Sequence, residues 1–118
     1  MSYDAQLQNH AGECLTVDTK HNMRGATYEV GGTKSLELNF TSNYGRHFTR
    51  VLGVGGIKNL YGMKGADAGP VLEYAASRLK DNTHPDHWKS TQGNAKSVLL
   101  QLAAMSRMRP DGVWRIWN

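Results

Sequence analysis

The chain has 118 residues, 39% hydrophobic and 20% charged, with a formal net charge of +4. That length suits one domain with one real core, and the composition lies outside the disordered range. A lone cysteine excludes an internal disulfide, and no apolar run approaches the roughly 20 residues of a membrane span. Taken in order, the first dozen residues are polar and expected to fray. A short strand is expected over 14–17. Residues 26–30, the pair Gly31-Gly32 and residues 35–41 read as a β-hairpin, because paired glycines supply the positive φ of tight turns. Leu36, Leu38 and Phe40 alternate with Glu37 and Asn39, which predicts one buried and one wet face.

The period then lengthens. A short helix is predicted over 44–52 with Phe48, Val51 and Leu52 inward, ended by Gly53, Gly55 and Gly56. A second helix is predicted over 66–80, its start fixed by Pro70, which only a first turn tolerates. Val71, Leu72, Ala75, Ala76 and Leu79 form its apolar stripe. The third is predicted over 92–108, with Thr91 as N-cap, Ala95, Val98, Leu99, Leu102 and Met105 or Ser106 inward, and Pro110-Asp111-Gly112 as its stop. Strands before helices give an α+β expectation: a small antiparallel sheet from the N-terminal half, packed by two or three C-terminal helices in a single domain spanning 1–118. Three tryptophans among the last thirty-one residues indicate a docked C-terminal segment, with another subunit as one surface it can meet.

Charge is segregated. Residues 1–37 carry net −2, whereas 38–66 hold Arg46, Arg50, Lys58 and Lys64 with no acid, and 84–118 carry net +3. Such blocks favour an anionic partner, although mild basicity also serves solubility alone. Catalytic signatures are poor. His84 and His87 form an H-x-x-H pair without the cysteines or the HExxH helix of a zinc site, so a turn at a helix start is the plainer reading. Cys14 lacks any nucleophile signature, and the carboxylates are scattered. Gly53-Val54-Gly55-Gly56 has the glycines of an anion cradle but neither the Lys-Ser/Thr of a P-loop nor a dinucleotide fingerprint, which favours a structural turn.

The segment from about 88 to 115 holds the best binding chemistry. Trp88 offers a ring on which a base stacks. Asn94 pairs a donor and an acceptor suited to an adenine edge, in the first turn of the last helix, where free N–H groups favour anions. Arg107, Arg109 and Arg115 bring guanidinium forks that match phosphate oxygens. Thr91 and Arg24 complete the candidate ligand-binding set. Against this stands the bland alternative of core tryptophans and a solvated, basic helix end.

Four blocks are familiar together: residues 38–44 (LNFTSNY), 56–66 (GIKNLYGMKGA), 88–95 (WKSTQGNA) and 108–114 (MRPDGVW). They resemble a widespread group of small phage proteins, identified with the first Thoeris anti-defence family, phage sponges that sequester cyclic ADP-ribose isomers. The resemblance implies a non-enzymatic protein without cofactors, acting in the cytoplasm of an infected bacterium. It implies a homohexamer built from dimers, with signals held intact at subunit interfaces. Cyclic di- or trinucleotides are further ligands of some members, and neither a membrane nor a specific nucleic acid is expected as a partner. The family's sites use an aromatic residue, an asparagine and C-terminal arginines. By type and order Trp88, Asn94, Arg107, Arg109 and Arg115 fill these roles here, with Tyr61 as the alternative aromatic. The competing expectation, of another class, is a phage inhibitor that docks directly on a host defence protein or CRISPR effector. A weak phosphodiesterase using His84 or His87 comes behind both.

Overall fold

A computed structural model describes residues 1–23 and 32–118 of the chain. Five strands and three α-helices are present in these residues: β1 (Ser2–Gln8), β2 (Thr16–His21), β3 (Thr33–Ser35), β4 (Glu37–Thr41), α1 (Gly45–Leu52), α2 (Gly65–Ser77), α3 (Gln92–Met108) and β5 (Val113–Trp117). Short 3-10 turns at Ser42–Tyr44 and Gly56–Leu60 flank α1. The fold is α+β. Its antiparallel sheet runs in the order β4-β1-β5, and β2 and β3 form a separate two-stranded ribbon.

The sheet corrects the expectation of a frayed start. Ser2–Gln8 is the central strand, because Tyr3, Ala5 and Leu7 alternate with Ser2, Asp4, Gln6 and Gln8 at the strand period. Ala5 lies between Leu38 and Ile116, and Leu7 is opposite Trp114. A second correction concerns the hairpin. Residues 35–41 divide between β3, which pairs with β2, and β4, which pairs with β1. The predicted first arm at 26–30 and Gly31 lie outside the described residues. The expected strand at 14–17 begins later, at Thr16, after a single bridge from Cys14 to Gln8.

The helices agree better with expectation. In α3 every predicted inward residue is buried, and the Thr91 hydroxyl accepts from the Asn94 N–H at 3.1 Å. In α2, Leu72, Ala75 and Ala76 are buried, and so is Leu79 just beyond it, but Val71 faces solvent. Small residues on α2 let it lie close to α3. A Cβ on Gly65 would stand 2.7 Å from the Ser106 carbonyl oxygen and 2.8 Å from that of Arg109, so no other residue fits there. One apolar cluster joins the inner sheet face (Ala5, Leu7, Leu38, Phe40, Trp114, Ile116) to all three helices. Phe48 meets both Phe40 and Tyr44 edge-on, with centroids 5.8 and 6.1 Å apart, a favoured aromatic geometry. Among the described residues no helix is long and apolar enough to cross a membrane.

Candidate functional site

The connection from α2 to α3 carries Trp88, and its shape is imposed from both sides. From α3, Asn94 is 8% exposed. Its Oδ1 accepts from the His84 N–H at 2.9 Å, and its Nδ2 donates to the carbonyls of Asp86 at 3.3 Å and Lys89 at 3.1 Å. Gly93 lets the loop pass directly over the helix start, since a Cβ there would lie 2.5 Å from the backbone of Asn82 and Thr83. From the α1 side, Asn43 Nδ2 donates to the Trp88 carbonyl at 3.0 Å, and Ser90 Oγ donates to the Asn43 carbonyl at 2.7 Å. The buried His47 Nε2 lies 3.1 Å from the Ser90 carbonyl, which can only accept, so that nitrogen carries the proton. Arg46 donates to the same carbonyl at 3.3 Å, and the Tyr44 hydroxyl donates to the His87 carbonyl. Burial, assisted by nearby Asp86, pushes the Tyr44 phenol above its ordinary pKa, which keeps this donor protonated.

Trp88 stands on this clasp with its side chain in solvent, 53% exposed. Its N–H is held by Asp86 Oδ1 at 3.0 Å, and its ring lies 5.2 Å from that of His87. Arg46 and Lys89 are near neighbours in the same clasp, and neither has an ion-pair partner among the described residues. The clasp therefore fixes the backbone of an exposed aromatic residue that is next in sequence to Lys89 and linked through Ser90 to Arg46.

Of the predicted site residues, the fold brings Trp88, Thr91 and Asn94 to one end of α3. Thr91 accepts as the helix cap, which leaves only its hydroxyl proton to give, and Asn94 is used as the loop's anchor through both ends of its amide. The arginines lie elsewhere. Thirteen helical residues separate Asn94 from Arg107, about 20 Å at 1.5 Å per residue. Arg107 forms an ion pair with Glu73 of α2, its Nε at 2.8 Å. Arg109 grips Asp111 with two bonds, of 3.1 and 2.9 Å, and reaches the Thr16 carbonyl at 3.3 Å. Arg115 sits on β5 with its guanidinium 5.0 Å from the centre of the exposed Tyr61 ring, a cation–π contact. Arg24 lies outside the described residues.

The remaining candidates have structural settings. His84 Nδ1 accepts from the Asp86 N–H at 3.0 Å, while the His87 ring lies tilted against that of Trp88. No three His, Cys, Asp or Glu side chains gather as a metal site among the described residues. The glycine run is a tight turn closed by Gly56 N–H to the Gly53 carbonyl. Burial, and then the charge of Glu37, push the Cys14 thiol above its ordinary pKa, the opposite of what an activated nucleophile requires.

Sequence reasoning missed Asn43, Arg46 and His47 as parts of the Trp88 setting. Asn43 belongs to one of the four familiar blocks, whereas Arg46 and His47 lie outside them; in the structure the blocks form two mated pairs. Block 38–44 grips block 88–95 through Asn43, and its Tyr44 bonds His87 just ahead of that block. Block 56–66 forms backbone bonds to block 108–114, from Gly62 to Trp114, Trp114 to Met63, Gly65 to Gly112 and Ala66 to Pro110. No family model matches the chain, and comparisons with curated proteins and with solved structures give no match either.

The Arg109–Asp111 pair has a testable pH signature. The Arg109 hydrogen bonds hold the exposed Asp111 carboxyl below the ordinary Asp range, and the same bonds raise Arg109. A lowered folded pKa contributes stability above the unfolded value that is lost as pH falls through the folded one. Asp111→Asn is therefore expected to lower the pH 6–8 plateau slightly, with no slope across it, and to flatten the acid limb of the stability curve. Urea unfolding at several pH values reads both, and a changed slope near neutrality would contradict this assignment.

Proposed function

We propose that this protein binds a phosphate-bearing nucleotide and retains it without chemical change, with Trp88 as the base-stacking platform and Arg46 and Lys89 as the phosphate contacts. The observation that supports this most is the clasp. A solvent-facing tryptophan serves no core, yet at least seven side-chain hydrogen bonds from Asn43, Tyr44, Arg46, His47 and Asn94 fix the loop that carries it. Such fixing lowers the ordering cost of binding. Within this proposal the ligands are the cyclic ADP-ribose isomers and cyclic oligonucleotides implied by the resemblance, and the setting is immune evasion by a phage in its host's cytoplasm. Arg107, Arg109 and Arg115 join the site only from a second subunit of the proposed homohexamer, where a phosphate would exchange with Glu73 or Asp111.

Calorimetry with cyclic ADP-ribose isomers and cyclic di- and trinucleotides tests the reading, with the ligand recovered unaltered after denaturation. Trp88→Ala is expected to weaken binding by about 1–3 kcal/mol, the value of one base–aromatic stack, while stability stays within about 0.5 kcal/mol of the parent. Absence of binding by every ligand would end the proposal. Stoichiometric co-purification of a host protein would favour the direct-inhibitor alternative, for which the exposed Trp88, Tyr61 and Tyr74 offer anchors. A steep fall of affinity with salt and no ligand preference would indicate nonspecific nucleic-acid binding instead.

A further inference from the structure

The outer face of the sheet has a chemistry opposite to that of the Trp88 loop. Register places Asp4 between Asn39 and Trp117, and Gln6 between Glu37 and the Arg115 position. Asp4, Gln6, Glu37, Asn39 and Trp117, with Ala5 and Leu38, line a depression of about 130 Å³. The amides hold the acids in place: Asn39 Nδ2 donates to Asp4 Oδ1 at 2.9 Å, and Gln6 Nε2 donates to Glu37 Oε2 at 2.9 Å. Gln6 is itself fixed, its Oε1 accepting from Gln8 at 2.9 Å. Each carboxylate keeps its second oxygen free of these bonds.

In a chain of net charge +4, neither acid has a cation within ion-pair distance among the described residues. Arg115, in register with Gln6 on the adjoining strand, turns its guanidinium to Tyr61, 5.0 Å from the ring centre. Two uncompensated carboxylates beside a half-exposed indole make an electrostatic sink for a cation with an apolar stem, which gains both charge attraction and a cation–π contact. The same carboxylates repel phosphate, so this is not a second nucleotide site. The depression suits a head group rather than a protein segment, and its walls lack the apolar core of a protein interface.

We infer that this depression binds a small free organic cation of the aliphatic diamine or guanidino-amine class. Asp4 and Glu37 are diagonal neighbours on adjacent strands, about 7–8 Å apart at their backbones, a separation that two linked cationic groups can span. One end of the ligand then lies against Trp117 and Asp4, and the other against Glu37. The site is independent of the proposed nucleotide binding.

The full chain, labelled with 15N, provides the test through its three indole N–H resonances. Titration with agmatine or putrescine is expected to move the Trp117 resonance saturably and leave those of Trp88 and Trp114 in place. Asp4→Asn and Glu37→Gln, each nearly isosteric and on a different strand, should each raise the midpoint about tenfold, as expected for a close charge pair. The unmoved Trp114 resonance reports that each variant is folded. Trp88→Ala should leave the titration unchanged whether or not nucleotides bind. A linear, non-saturating shift, an equal shift with sodium chloride of matched ionic strength, or indifference to both carboxylate variants would overturn the assignment.

Discussion

Trp114→Ala is expected to remove about 3–5 kcal/mol of stability, a large fraction of the 5–15 kcal/mol typical of a domain. The indole has no exposed surface and lies on the inner face of β5, opposite Leu7 of the central strand. It is also the inner end of a polar relay, with Nε1 donating to Ser106 Oγ at 2.9 Å and Ser106 Oγ donating to the Leu102 carbonyl at 2.8 Å. Removal of the ring leaves a cavity between sheet and α3 and strips the Ser106 hydroxyl of its donor. Ser106→Ala separates the two contributions: it keeps the ring but orphans a buried N–H, a loss of about 1–3 kcal/mol. Urea unfolding with an unchanged m-value measures both. A Trp114→Ala loss below about 1 kcal/mol would mean that the sheet does not depend on this contact.

Asn94→Ala is expected to cost about 1–3 kcal/mol, because one truncation leaves the His84 N–H without its acceptor and takes a second donor from the Asp86 and Lys89 carbonyls, which keep the backbone N–H groups of Lys89 and Thr91. The damage should be local. Hydrogen exchange at 84–90 would accelerate strongly while the amides of β1 stay protected. Asn94→Asp keeps the acceptor for His84 but places a negative charge against two carbonyls, so it should be no milder than alanine. Ligand affinity would fall in both variants through a disordered Trp88 platform, which makes Trp88→Ala the cleaner probe of contact. Unchanged exchange in Asn94→Ala would show that the α1 side alone holds the loop.

The helices were legible because their signals are local. Thr91, the apolar spacing from Ala95 to Met105 and Pro110 delimit α3 without reference to the rest of the chain, and the spacing of Leu72, Ala75 and Ala76 marks α2, although Pro70, expected in a first turn, lies inside it, five residues past its start at Gly65. The strands were harder. β1 alternates faithfully, but with Ala5 as its central inward residue it looks polar until Leu38 and Ile116 are seen on either side. β5 also alternates, with Trp114 and Ile116 inward and Arg115 and Trp117 outward, yet its tryptophans suggested only a docked segment and its arginine a ligand contact. Pairing depends on distant partners, and a single sequence does not state them. The candidate site was legible in part. Trp88 is displayed as stacking chemistry requires, whereas Asn94, chosen for its double hydrogen-bonding capacity, uses that capacity on the protein's own backbone. Arg107 and Arg109 are pure phosphate forks in sequence and half of an ion pair in space.

The central position of β1 has a consequence for the order of events during synthesis. Its neighbour on one side, β4, is made about thirty residues later, but β5 on the other side is made only after a further seventy or so. A nascent chain carrying everything up to α3 therefore holds β1 with one ladder of backbone groups open, next to the inner-face residues that Trp114 and Ile116 will cover. Closing so long a loop is slow, and an open strand is an invitation to pairing with other chains. The sheet can be completed only once β5 has cleared the ribosome, and until then β1 is the stretch of this protein most in need of a chaperone's protection.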